Sequence, residues 1–259
     1  MKKLLSLILL SFLFLTGCSF KKEEKCDFDK IIERDMLIVG VKNDSKPFGY
    51  FNQKTNEYEG FDIDIAKNIA LDILGSKRKI KFVDVDSSNR IEKLMSEEVD
   101  IVVATMSSTP QRNYLIDFSK PYYVAGQTAL VKKNSDIHTF SDLKKKTTIV
   151  VLGSTTESNL RRIIPTIRLI GYKTYKNAFV AFKAEKGDAI SADDALLIGF
   201  MQENKGKYRL LKNRISKEFY SVGIRKCEKD NKLKNHVDMS IVRMTKDGTI
   251  KELKTKYNL

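Results

Sequence analysis

In the run VDIVVATMSSTPQRNYLIDFSKPYY, the apolar residues Ile101 to Ala104 give way to four hydroxyl side chains, Thr105, Ser107, Ser108 and Thr109. Pro110 and Arg112 follow. Proline suits the first turn of a helix, where its missing N–H is no loss. Free backbone N–H groups at that turn, hydroxyl donors and a guanidinium describe an anion site. A helix capped by Thr109 beside a surface arginine accounts for the same residues equally well. A second stretch, GSTTESN, sets Gly153, Ser154, Thr155 and Thr156 ahead of a helical pattern. It reads either as a second anion-binding helix start or as an ordinary N-cap completed by Glu157. Two cations also follow apolar runs: Lys42 just past LIVGV, and Arg90 at the head of RIEKLM. Beyond adjacent strand ends, such a pair suits a carboxylate, although most lysines and arginines point to solvent. No catalytic set emerges. His138 and His236 are isolated, and no metal-spaced cluster, phosphate loop or G-x-S-x-G is present. No cofactor and no metal are expected.

Strands and helices must position these groups, and their signals alternate. LIVGV (37–41) is a short β-branched run, hence a buried strand. GFDIDIAKNIALDILG (60–75) carries Ile65, Ile69, Ile73 and Leu74 at helical spacing, with Gly60 and Asp62 as start signals and Gly75 as a stop. KIKFVDV (79–85) reads as a strand, NRIEKLMSEE (89–98) as a helix and DIVVA (100–104) as a strand. This βαβαβ run predicts a parallel sheet covered by helices on both faces. Residues 122–133 form a longer apolar stretch. The alternation then restarts: strands over 147–152, 166–170 and 188–192, with helices at SDLKKK, STTESNLRRII, 177–186 and 194–204. Extended segments at 208–211 and 219–226 precede two helices over 236–257, broken at Asp247-Gly248. Two successive α/β units predict two lobes with a cleft between them. Ligands of such sheets bind beyond the carboxyl ends of strands, where Thr105 to Arg112 falls.

The chain has 259 residues and a net charge of +14. MKKLLSLILLSFLFLTGCS has two lysines, a short apolar run and small residues before a cysteine, which predicts a secretory signal over residues 1–17. A signal anchor is the alternative. No later stretch approaches the eighteen apolar residues of a membrane span. Losing Lys2 and Lys3 would take the charge from +14 to +12. Lysines scattered among acids, on an exported chain, argue against nucleic acid as a partner and for a solvated basic face near an anionic membrane. Residues 18–30 read as a tether. Cys26 and Cys227 would meet an oxidising compartment and are candidates for a disulfide; two free thiols is the other reading.

Together, EGFDIDIAKNIA, VDIVVATMSSTPQRNYLIDFSKPYY, GDAISADDALL and the lipobox-like LTGC at Leu15–Cys18 resemble the polar amino-acid-binding proteins of bacterial ABC importers. The likeness runs from about Phe28 to Leu259 and is nearest to aspartate/glutamate-binding members, with cysteine- and glutamine-binding members close by. It implies a two-lobed type II periplasmic-binding-protein fold of class α/β. Each lobe would be a mostly parallel sheet with flanking helices, joined by two crossing segments. Lobe 1 would comprise 31–125 and 218–259, and lobe 2 would comprise 126–217. Cys26 and Cys227 would then share a lobe. The resemblance implies that Arg112 grips the ligand α-carboxylate, that Thr105 and Ser107 add donors and a carbonyl, and that the helix start at Ser154, Thr155 and Thr156 shares that carboxylate. Asp193 would hold the α-ammonium, and Lys42 and Arg90 would read the side chain. Many relatives sandwich the ligand with an aromatic; Ser45 and Ser87 stand in those places here, leaving Phe48 or Tyr50 as substitutes. The expected protein is a monomer, lipid-anchored at Cys18 on the outer side of the membrane. It would take aspartate or glutamate to an importer permease. The alternatives are a glutamine- or cysteine-binding member, a ligand sensor, or a cyclohexadienyl-dehydratase-like enzyme on the same fold.

Overall fold

The computed structural model describes residues 27–227 and 231–259. The expected signal segment, Cys18 and Cys26 lie outside these. A helix not read from the sequence, α1 (Asp27–Arg34), opens the described chain, so the tether expected over 18–30 overlaps a helix from Asp27 onward. Three contacts dock it. Ile31 is buried, Arg225 pairs with Asp27, and the Phe28 ring stacks on His236 with centroids 4.4 Å apart. The charged composition hid the single apolar stripe that this helix buries.

β1 (Leu37–Val41) runs into a small antiparallel meander, β2 (Asp44–Ser45), β3 (Gly49–Asn52) and β4 (Glu57–Glu59). Then come α2 (Phe61–Leu74), β5 (Ile80–Asp84), α3 (Arg90–Met95), β6 (Ile101–Val102), the one-turn helix α4 (Pro110–Asn113) and β7 (Asp117–Phe118). The long strand β8 (Tyr123–Lys132) crosses to the second lobe. That lobe holds β9 (Thr147–Val151), α5 (Thr155–Ile163), β10 (Arg168–Tyr172), α6 (Tyr175–Lys183), β11 (Ala189–Asp193), α7 (Asp194–Glu203) and β12 (Tyr208–Leu210). β13 (Lys217–Tyr220) returns to β14 (Gly223–Ile224), α8 (Lys232–Lys246) and α9 (Thr249–Lys256). SDLKKK, read as an α-helix, forms a 3-10 helix (Phe140–Lys145). The last two helices part at Gly248, whose φ of 87° lies in the left-handed region that glycine tolerates.

The fold is α/β with two sheet-containing lobes. The first sheet has the order β5-β1-β6-β14-β7 and the second β10-β9-β11-β8-β12. Each is parallel on one side (β5-β1-β6; β10-β9-β11) and antiparallel where the crossing strands join it. The parallel halves carry the apolar runs because helices cover both of their faces. The two crossing segments pair antiparallel, from Tyr123 opposite Tyr220 to Gly126 opposite Lys217. Beside them Phe48, Phe61, Tyr122, Tyr123 and Tyr220 form an aromatic cluster; the Phe48 centroid lies 5.1 Å from Tyr123 and 5.4 Å from Tyr220. The hinge is thus packed by rigid rings rather than by flexible chains. Cys227 is disulfide-bonded; its expected pairing with Cys26 falls outside the described residues. No helix among the described residues is long and apolar enough to cross a membrane.

Candidate functional site

The site sits at the junction of the lobes, built from strand ends. β1 delivers Lys42, and the loop after β6 delivers Thr105 and Ser107. α3 begins at Arg90, α4 carries Arg112 and β11 ends at Asp193. Lys42, Arg90, Thr105, Ser107 and Asp193 are all buried. The solvent-facing alternative for the two cations is therefore excluded: Lys42 is 3% exposed and Arg90 2%.

Thr105 organises the first-lobe side. Its Oγ1 accepts from Lys42 Nζ at 2.8 Å, its N–H donates to Asp62 Oδ2 at 2.7 Å, and its carbonyl faces Arg90 Nη1 at 3.4 Å. Arg90 Nη1 also donates to the Ala104 carbonyl at 2.8 Å, while its Nε is buried with no hydrogen bond. Burial, and next the neighbouring Arg90, pull the Lys42 ammonium down to about 7. Arg112 spans the lobes: Nη1 donates to the Ser107 carbonyl at 2.8 Å and Nη2 to the Gly153 carbonyl at 3.0 Å. Burial first, then Arg90, lower its guanidinium to about 9, so it stays charged at neutral pH.

On the second-lobe side, Ser154 caps α5. Its hydroxyl accepts from the Glu157 N–H and donates to the Val151 carbonyl at 2.6 Å. Thr155 Oγ1 accepts from Gln127 and donates to Glu218 at 2.9 Å, and Thr156 is buried in the first turn. These hydroxyls hold the helix start in place, which leaves its backbone N–H groups as the groups able to meet an anion. Asp193 Oδ2 accepts from the Tyr220 hydroxyl, whereas Oδ1 is buried with no hydrogen bond. Burial pushes this carboxyl up to about 6, against the pull of the Tyr220 hydrogen bond. Ser87 Oγ is likewise buried with no partner. A carboxylate buried with one oxygen unsatisfied, facing a buried cation cluster, is suited to a ligand with charges of both signs.

Other residues join the site only through the fold. Tyr175 starts α6, is buried, and lies under Lys42 with Nζ 4.6 Å from the ring centroid. Tyr220, Glu218, Gln127 and Asp62 enter only because strands far apart in sequence meet. Neither proposed aromatic substitute faces the site. Phe48 belongs to the hinge cluster, and Tyr50 donates its hydroxyl to Glu59 at 2.7 Å within the meander. Tyr175, from the other lobe, is the aromatic that lies against Lys42.

The lobes also meet beyond the site. The Lys176 N–H at the start of α6 donates to Asp44 at 3.0 Å, and Lys46 pairs with Glu203 at 3.2 Å. Gly153 has φ 74°, and a Cβ there would lie 2.7 Å from the Ser87 carbonyl of the opposite lobe. Gly153→Ala is therefore expected to hold the lobes apart and to weaken ligand affinity by about tenfold or more, from the strain and clash together. Titration calorimetry against the unmodified chain checks this.

A lobed α/β protein with a two-signed cleft is built to enclose a small polar solute. Among the described residues no cluster of histidine, cysteine or acids able to hold a metal occurs. Residues 37–259 match the bacterial extracellular solute-binding proteins, family 3, and the chain belongs to that family. It is 38% identical over 269 residues to the ABC transporter glutamine-binding protein GlnH of Bacillus subtilis, covering 99% of this chain and 97% of that one. It is 43% identical to a glutamine-binding protein of Geobacillus stearothermophilus, over 78% of this chain and 77% of the relative. The crystal structure of a cysteine-binding protein from Campylobacter jejuni superposes with a TM-score of 0.83 at 30% identity, covering 90% of this chain and 93% of that one.

Proposed function

We propose that this chain captures a free L-amino acid, glutamine foremost, by closing its lobes on it, and presents it to an ABC importer. The observation that carries the reading is the opposition of the half-buried Arg112 to the buried Asp193, of opposite charge, across the lobe junction. An α-carboxylate meets the guanidinium and the α5 N-terminus; an α-ammonium meets the free Asp193 Oδ1. Since each lobe supplies half of the site, the ligand binds the closed form better and shifts the population towards it. Glutamine is favoured by charge count. Buried Lys42 and Arg90 stand against buried Asp62 and Asp193, so a ligand of zero net charge leaves these four balanced. Lys42 Nζ is also a donor suited to a side-chain amide oxygen. The relatives named for glutamine support the same choice. Aspartate or glutamate is the second reading, favoured by two buried cations, Lys42 and Arg90, near one another. Lipid attachment at Cys18 would keep a monomeric receptor at the outer membrane face, beside the permease.

Calorimetry with the twenty amino acids tests this. Glutamine is expected to bind tightest; a tighter glutamate selects the second reading, and no binding at millimolar ligand removes both. Lys42→Ala is expected to change the glutamine-to-glutamate preference by about tenfold, the scale of one charged hydrogen bond in a buried site. An unchanged ranking would take Lys42 out of side-chain recognition.

A further inference from the structure

We infer that Asp62, set behind the site on the first turn of α2, determines the net charge of the amino acid that the cleft accepts. This rests on the glutamine reading above. Asp62 is fully buried and both of its oxygens are occupied, Oδ2 by the Thr105 N–H at 2.7 Å and Oδ1 by the Tyr122 hydroxyl at 3.0 Å. An ordinary first-turn helix acid faces solvent and its own helix start. This one turns inward, to a residue of another element.

That residue is the one on which the site cations lean. Thr105 adopts φ 46°, a left-handed conformation that a threonine rarely takes unless its surroundings impose it. Asp62 holds its N–H, Lys42 its hydroxyl, and Arg90 its carbonyl. The Asp62 carboxylate is therefore one residue removed from both side-chain-reading cations and offsets their charge from behind. Asp193 does so from the ligand side. With Asp62 ionised, two buried cations, Lys42 and Arg90, face two buried carboxylates, Asp62 and Asp193, and a neutral zwitterion fits. Without its charge the interior carries one excess positive charge, which an extra ligand carboxylate neutralises. Asp62 is thus a positioning and charge-setting residue, acting through Thr105.

Asp62→Asn tests the point because the amide oxygen can still accept from Thr105, and the Tyr122 hydroxyl can accept from the amide N–H. Glutamine and glutamate affinities are measured by calorimetry on the full chain, with thermal melting to confirm folding. The expected result is a shift in the affinity ratio of at least about tenfold towards glutamate. Tyr122→Phe removes a hydrogen bond that favours the ionised Asp62, so it should move the ratio the same way by a smaller step. A purely structural Asp62 predicts equal weakening of both ligands in Asp62→Asn; that outcome, or an unmoved ratio, overturns the inference. Should Asp62→Asn fail to fold, Asp62→Ser carries the same readout. If the unmodified chain binds neither ligand, the glutamine reading falls. If it binds glutamine and only the variant ratio stays fixed, this inference alone falls.

Discussion

Arg112→Ala is expected, on the proposed binding mode, to weaken every amino acid by at least about 100-fold, the 2–5 kcal/mol range for removing one partner of a charge pair that lobe closure would bury. Three losses coincide. The ligand α-carboxylate loses its guanidinium. The Ser107 carbonyl loses its donor. The Gly153 carbonyl loses a hydrogen bond that joins the lobes. The first and third weaken the same state, because the closed form both binds ligand and contains the bridge. Arg112→Lys should recover little, since one ammonium cannot reproduce a fork that reaches two carbonyls and a carboxylate. The effect should also be uniform across ligands, unlike that of Lys42→Ala, because every amino acid presents the same carboxylate. Calorimetry over the ligand panel checks both statements. An Arg112→Ala chain that still binds its best ligand within a few-fold would remove the clamp.

Asp193→Asn is expected to lose about 100-fold in affinity, by the same buried-pair argument applied to the ammonium. The pH profile gives an independent check. The folded carboxyl titrates at about 6, above the ordinary 3.8, because burial disfavours its charge. Above pH 6 the ionised group therefore costs the empty fold stability. That cost lifts as pH falls through 6 towards 3.8, since the folded chain then takes up the proton more readily than the unfolded one. Ligand affinity moves the other way. The ammonium needs the carboxylate, so affinity should fall by about tenfold per pH unit below 6. Tyr220→Phe removes the hydrogen bond that lowers this pKa, so the fall should begin at higher pH. In Asp193→Asn this part of the profile should flatten. A profile unchanged by that substitution would assign the titration to another group, and Asp62, also pushed up to about 6 by burial, would be the one to examine.

Much of this architecture follows from local pattern. β1 occupies the run read as a strand, 37–41, since a short β-branched stretch has few other uses. α2 fills the span between its glycines, and the last two helices break at Gly248 as expected. β10 begins two residues later than read, because TIRLI and RLIGY are equally extended and pairing with β9 decides between them. The meander over 44–59 and α1 escaped notice: two- to four-residue strands and an eight-residue charged helix carry little periodic signal, and tertiary contacts stabilise them.

The sequence by itself determined two α/β units, the loop that carries Arg112, and the family to which such motifs in that order belong. Each of these rests on neighbours within a few residues, which is what periodicity and capping report. Only the tertiary structure decided that Lys42 and Arg90 are buried and that Tyr175 is the aromatic beside them. It alone joins Tyr220 to Asp193, and Asp62 to the residue that orders both cations. Those contacts link positions 27 to 63 residues apart, or lie across two lobes. A charged side chain's burial depends on what the rest of the chain brings to it, and no local pattern contains that.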